Sequence, residues 1–509
     1  MRRRQYSIFF VMFVCGLFVG TSMVPAFTGE IQSTILSING PISEQEPKIT
    51  YLQHNRIPDY TDQIMNYKER LSDNLPYRQT TIIDEEEWDI VVPDDYNTIQ
   101  EAVDTAESGD RIFVRNGTYK ENIVVYKEGL KIYGEDKYTT IIDGNNVTHA
   151  IDILSENVTI NGFTVKNGCN EEESLWDLSG IVINASNTKI TGNVIMKNRL
   201  GISSMTKTSD LVICDNEFID DGLMLGNYVY NNELSTEDFI HKVENNTVNG
   251  KPLVYLKNQN DAVVDSNAGQ VILANCSNIT VKNLGIKDTD FSIILAGCKN
   301  CIIEDNVIDE TDGELILFSS EENMIRNNTV SNGLHGICMD FDSKNNVVLE
   351  NTIVGNWVGI SSLTGTSGNI IKNNVLEENI VGIEISTYYP LLKCSSNEVI
   401  GNMVSESKIG IVVNEGSFDH NFTLNTIKSC TIFGFQIEDV ANISIENNNF
   451  ERNLLFNFWF SAAENIKLDN NFWGRARILP KIVFGLKNFN GIPIPGIMID
   501  RNPARSLFE

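Results

Sequence analysis

Carboxylates are the residues of this 509-residue chain whose spacing comes nearest to chemistry. In GICMDFDSK, Asp340 and Asp342 stand two residues apart. On an extended strand such residues project from one face, about 7 Å apart. Inverting glycosidases place an acid and a base at about that separation around a sugar linkage. On this reading Ile337, Met339 and Phe341 point inward, and Cys338, Asp340 and Asp342 point outward. Glu384, which follows Gly382-Ile383, shares the outward face, and Lys344 is the one close base for a lyase mechanism. With 68 acids in the chain, an acidic solvated surface or a weak Ca²⁺ site explains the pair at least as well. Ca²⁺ is the one cofactor these residues suggest, and no other metal site is expected.

Soft-metal chemistry needs His, Cys or Met in convergence. The five histidines, His54, His149, His241, His335 and His420, fall in five separate segments. CKNC at 298–301 has CxxC spacing, and Cys276 lies 22 residues before Cys298. Stacking of those two leaves three readings open: a buried thiol stack, a disulfide, or a metal site. Sugar binding without turnover asks less of the residues. Trp176 in NEEESLWDL and Tyr388 and Tyr389 in STYYPLLKC could stack on sugar rings, or simply pack their own loops.

These residues need a frame, and the frame is legible as a beat. The phrase apolar–x–x–Asn–x–apolar recurs at Asn193, Asn216, Asn246, Asn306, Asn328, Asn351, Asn374, Asn402, Asn425, Asn448 and Asn471, with most spacings 22 or 23 residues. Phe163 and Leu284 fill the same slot at two further places. Three short apolar strands per period fit one coil of a parallel β-helix, with longer coils carrying loop insertions. Leucine-rich repeats share the period but need a leucine-dominated frame, which is absent. The asparagine is expected in an inward-facing turn, in the left-handed backbone it tolerates. Its amide would bond to its equivalent one coil away, forming a ladder with gaps at Phe163 and Leu284. The fold expected is therefore all-β, a single-stranded right-handed parallel β-helix of about 13 coils of 22–23 residues. A second phrase, Gly–Ile, recurs at Gly180, Gly201, Gly336, Gly359, Gly382 and Gly410 and marks another strand of each coil. Thr98 stands three residues before Glu101, a capping-box spacing, so a short N-terminal helix should close one end. LFNFWF and IPIPGIMID should fold over the other from about residue 472.

Before the helix, MRRR and the apolar run Tyr6–Phe27 read as a signal peptide or N-terminal anchor over residues 1–26. Residues 27–90 read as an acidic polar arm, and 91–509 as the β-helix domain. The expected location is secreted or cell-surface, or periplasmic where there is an outer membrane, with membrane contact only through an uncleaved N-terminus. A net charge of −29 argues against a nucleic-acid partner. Ten Asn-x-Ser/Thr sequons are near chance for a chain with 61 asparagines, so they do not argue for glycosylation.

PDDYNTIQEAVDTAESGDRIFVRNGTYKENIVV resembles the opening segment of NosD-like proteins, right-handed β-helices of the pectin-lyase-like superfamily. VNGKPLVYLKNQNDAVVDSNAGQVILANCSNITVKNLGI resembles their long central coil, and NNFWGRARILPKIVFG with IPIPGIMIDRNPA their closing segment. The resemblance spans roughly Val91 to Ser506. It implies an exported β-helix, and for the family's namesake a role in copper-site maturation, although no ligand motif is shared here. Carbohydrate binding or scaffolding on a surface glycan is the first functional expectation. A polysaccharide hydrolase or lyase using Asp340, Asp342 or Glu384 is the second, and a copper-maturation accessory the third.

Overall fold

The computed structural model describes residues 88–168, 179–227, 234–311, 313–387, 389, 391–477, 479–489 and 492–508. The chain divides into two compact units, 1–83 and 84–509, and the fold below is that of the second. The expected signal or anchor, and the arm up to residue 87, lie outside the described residues.

The helix Ile99–Thr105 stands at the start. Thr98 Oγ1 accepts the Glu101 N–H at 3.1 Å, and the Glu121 carboxylate accepts the N–H groups of Ile99 and Gln100. The first-turn donors are thus satisfied, and Ile99, Ala102 and Val103 turn into the core. Short strands then stack coil upon coil, parallel and in register. Ile337, for example, sits between Leu315 and Ile360. The architecture is a parallel β-helix of about 16 turns. Its longest sheet has 16 strands. The count exceeds 13 because the coils before Phe163 carry no asparagine phrase.

One sheet runs the whole length, but its strands reverse direction partway. Thr247–Val248 pairs antiparallel with Lys251–Lys257, and parallel stacking then resumes with Gln270–Ala274. The interior changes side at that point. Val248, in the core of the first coils, pairs with Lys251, whose alternation continues through Leu253 and Tyr255. Leu253 and Tyr255 pack with the first core, whereas Val254 and Leu256 pack into the second. The molecule is therefore two successive solenoids with their interiors on opposite faces of one shared sheet. Reversing strand direction and interior together keeps the hand of the coil unchanged. Buried polar contacts bind the joint: Asp290 Oδ2 accepts from Gly201 and Gly222 N–H at 2.6 and 2.8 Å, and Gln270 Oε1 from Leu223 N–H at 3.0 Å.

The asparagines form the expected ladder in two runs. Asn193 bonds to Asn216 and Asn216 to Asn246. A second run passes from Asn306 through Asn328, Asn351, Asn374, Asn402, Asn425 and Asn448 to Asn471. Phe163 and Leu284 interrupt the side-chain ladder, yet each donates its backbone N–H to the next asparagine. One expectation is corrected. The left-handed residue is the one before the ladder asparagine, such as Asn327, Glu350, Asn373 or Gly401. That residue turns the corner, and the next side chain is delivered inward. A parallel ladder joins Asn323, Asn346 and Asn369. The Gly–Ile glycines sit inside strands where coils crowd: a Cβ on Gly359 would lie 2.6 Å from Gly382 O and 2.8 Å from Leu376 Cδ2.

At the far end, strands Lys481–Phe489 and Ile492–Asp500 make an antiparallel hairpin. Val483 and Met498 pack on the second core. Asp500 Oδ2 accepts from Asn471 N–H at 3.0 Å and from Trp473 Nε1 at 2.9 Å, which closes the ladder.

Candidate functional site on the outer face of the long sheet

In the second solenoid the strands of the long sheet carry apolar side chains on both faces near the joint, and polar ones farther along. One outward column reads Ile294, Ile316, Cys338, Ser361, Glu384, Val412, Gln436 and Trp459. Phe239, from the short 3₁₀ turn Thr236–Phe239, covers its beginning and lies 5.7 Å from the Phe318 ring. Beyond that cover Glu384 and Trp459 are partly exposed, while Ser361, Val412 and Gln436 stay buried.

The expected acid pair is corrected here. The strand ends at Asp340, and both Phe341 and Asp342 are left-handed, with φ of 41° and 64°. Two such residues in succession break the alternation. Asp340 is buried and receives the Phe341 N–H at 2.8 Å, whereas Asp342 is exposed and paired with Lys344 at 2.6 Å. Phe341 packs outside the second core, against Tyr389 at 5.9 Å, while Ile337 and Met339 do point inward. Asp340 and Asp342 therefore do not face one ligand together. Cys338 lies on the outer face.

Glu384 does lie on the outward column, half-buried. Burial raises its carboxyl to about 7, against the favourable hydrogen bond of Ser386 and with the help of the Glu415 charge. Two coils on, burial and then the charges of Glu415 and Asp439 raise Glu438 to about 7. Between them lies an acceptor-rich surface. Gln436 is buried with its Oε1 unpartnered, and Asn414 Oδ1 is likewise buried and unpartnered. An aromatic wall closes this patch: Phe433 stacks on Phe456 at 5.6 Å and 22°, and Trp459 leans on Phe456 at 5.4 Å. Gln436, Glu438, Asn414 and Trp459 were not singled out from the sequence. The signal was present, since Glu384, Val412 and Gln436 each follow a glycine by two residues.

Of the aromatic candidates, Trp176 and Tyr388 lie outside the described residues. Tyr389 is half-buried, and its backbone closes its own loop through Thr387 Oγ1 at 3.1 Å. Upstream on the face, His335 Nδ1 lies 3.1 Å from Ser361 Oγ, and burial holds this imidazole down at about 4, hence neutral.

Cys276 and Cys298 are free, buried thiols on adjacent coils. They border an open cleft of about 510 Å³ with Lys299 and Glu321. A hydrogen bond from Cys298 lowers Cys276 to about 7; burial and both neighbouring sulfurs push Cys298 well up. Cys301 occupies the ladder slot above Asn323, whose Oδ1 takes its N–H at 2.8 Å. His420 ends that same ladder, accepting from Asn397 N–H at 3.1 Å. Among the described residues, no three His, Cys, Asp or Glu converge as a metal site.

Residues 231–392 match the model of the family described as "Periplasmic copper-binding protein (NosD)". Solved structures similar to the chain include the A-module of the Azotobacter vinelandii mannuronan C-5 epimerase AlgE4, at 12% identity and a TM-score of 0.33 over 74% of this chain and 95% of that one. An alginate lyase from Paenibacillus sp. str. FPU-7 is similar at 12% identity and 0.28, covering 64% and 91%. The Dettilon tailspike protein is similar at 14% and 0.29, covering 63% and 61%. A search of curated proteins found no match. Residues 231–392, which hold the strand reversal and the outer column as far as Glu384, are a NosD-like segment, and the chain that carries them is a parallel β-helix.

Proposed function

We propose that this is an exported β-helix protein that binds a glycan on the outer face of its long sheet, between Glu384 and Trp459. The observation that carries the reading is the unpartnered, buried Gln436 Oε1 beside an aromatic wall. Sugar rings offer both a flat C–H face for Trp459 or Phe456 and hydroxyl donors for lone acceptors such as Gln436 and Asn414. The carboxyls and the −29 charge disfavour a uronate polymer and favour a neutral or amino-bearing one. The test is a polysaccharide panel, with and without Ca²⁺, scoring retained protein and new chain ends together. Retention that falls at least about tenfold in Trp459→Ala and Gln436→Leu supports the binding face. Retention unchanged in both variants removes it.

The second reading is a polysaccharide-active enzyme, favoured by Glu384 at about 7, where a carboxylic acid can still donate a proton at neutral pH. New chain ends that vanish in Glu384→Gln would establish it. A copper role has less support, since among the described residues no three His, Cys, Asp or Glu are arranged to hold a metal ion.

A further inference from the structure

The charge of the chain is unevenly spread, and its C-terminal cap is the exception. From Phe472 to Glu509 the basic residues are Arg475, Arg477, Lys481, Lys487, Arg501 and Arg505, against two acids, Asp500 and Glu509. Asp500 is buried at the end of the asparagine ladder, so it gives the surface nothing. In a chain of net charge −29 this leaves a cationic end. None of the six basic residues makes an ion pair with a described acid, although acids outnumber bases in the chain as a whole. Arg475, Arg477 and Lys481 are close enough that, after burial, the two arginines hold the lysine's proton affinity down.

The same cap is apolar on its outer side. The hairpin turns Val483 and Met498 toward the core, and the alternate residues outward. Ile482 pairs with Ile499 and Phe484 with Ile497, and these four side chains are 46%, 42%, 69% and 49% exposed. Four large apolar side chains in two directly opposed pairs make one contiguous patch rather than scattered surface residues.

We propose that this hairpin docks on an anionic lipid surface, with Phe484 and its three neighbours entering the headgroup boundary and the exposed arginines contacting the lipid charges. By the same alternation Lys481 and Lys487 lie on the side of Val483, with Lys481 over the Trp473 ring at 5.8 Å. The charge offered beside the apolar patch is therefore that of exposed Arg475, Arg501 and Arg505. Apolar side chains with such basic neighbours are the composition that binds anionic surfaces. A second copy of the cap fits less well, because a twofold contact would set the Arg475–Arg477–Lys481 cluster against its own equivalent. The chain also carries an apolar run of bilayer length, Tyr6–Phe27, so a bilayer is within its chemistry independently of the cap.

The test uses the full chain incorporated into vesicles of phosphatidylcholine alone or mixed with phosphatidylglycerol, so that any N-terminal insertion is common to both. Amide exchange is read over Lys481–Phe489 and Ile492–Asp500. The expected result is slowing of at least about tenfold in the anionic vesicles, reversed by high salt. Loss of the slowing in Arg475→Glu/Arg477→Glu, and separately in Phe484→Ser, supports the proposal. Because the Arg477 Nε is buried whereas Arg475 is exposed, Arg475→Glu alone is the variant that tests charge with the least disturbance of the fold. Equal exchange in the two vesicle types overturns the proposal. So does protection that appears without vesicles as protein concentration rises, which would assign the face to a second copy.

Discussion

Asn374 shows what one ladder residue does. Its Oδ1 accepts the N–H and Nδ2 of Asn351, and its own Nδ2 donates to Asn402 and to Val348 O at 2.9 Å each. Four bonds in a dry interior converge on one side chain, and each partner sits in the same arrangement one coil away. Asn374→Ala removes all four together. We expect a loss of about 2–4 kcal/mol, because Asn351 N–H is left buried without its acceptor and the contacts to both neighbouring coils go with it. Chemical denaturation of the variant checks this, and an unchanged midpoint would show that the ladder follows the fold without supporting it. The same change at exposed Asn465, which donates only to Asn442, should cost far less. The ladder was legible in the sequence because the same residue type returns at the same interval. The bend before it was not. Asn373, Glu350 and Gly401 are chemically unlike, and what they share is only a backbone angle.

Where strand direction reverses, two carboxyls, Asp221 and Asp290, meet in the interior. Burial, reinforced by the charge of Asp290, raises Asp221 well above its usual range, despite two hydrogen bonds from Asn198. The sign follows from linkage. The folded chain holds a proton on Asp221 that the unfolded chain has released, so stability is full below the ordinary Asp value and falls as pH rises through the folded one. Asp221→Asn keeps the shape without the charge. Its stability relative to the native chain should therefore grow as pH is raised, read as melting temperature from pH 5 to 9. A constant difference between the two across that range would remove Asp221 from the account. Such a joint was foreshadowed only as the widest gap in the asparagine series, between Asn246 and Leu284. The reversal itself was hidden, because strands such as Gln270–Ala274 and Phe291–Ala296 are buried on both faces and show no alternation. Asp340 and Asp342 were misplaced for a related reason. Strand alternation is a sound guide only until a left-handed residue intervenes, and GICMDFDSK has two in a row without a glycine among them.

At the scale of the whole molecule, contacts run to the next coil and little further, except at the joint. A complete coil is therefore a removable unit, as in other stacked repeats. Deleting residues 351–373 brings Asn374 directly after Glu350 and takes one strand from each face of the second solenoid. The shortened chain should remain soluble and unfold cooperatively, whereas a deletion of half that length should aggregate, because it turns every following side chain out of register. Circular dichroism and thermal unfolding would separate the two. The proposed glycan face, the C-terminal hairpin and the joint draw on different strands, and no side chain described here serves two of them. The number of intervening coils then acts as a spacer dial. Between the strand holding Glu384 and the one holding Trp459 there are three coil steps, about 15 Å at the usual strand separation. Each coil gained or lost among them would lengthen or shorten the proposed face by about 5 Å and move Glu384 by as much from the hairpin, which stays against the strand holding Trp459.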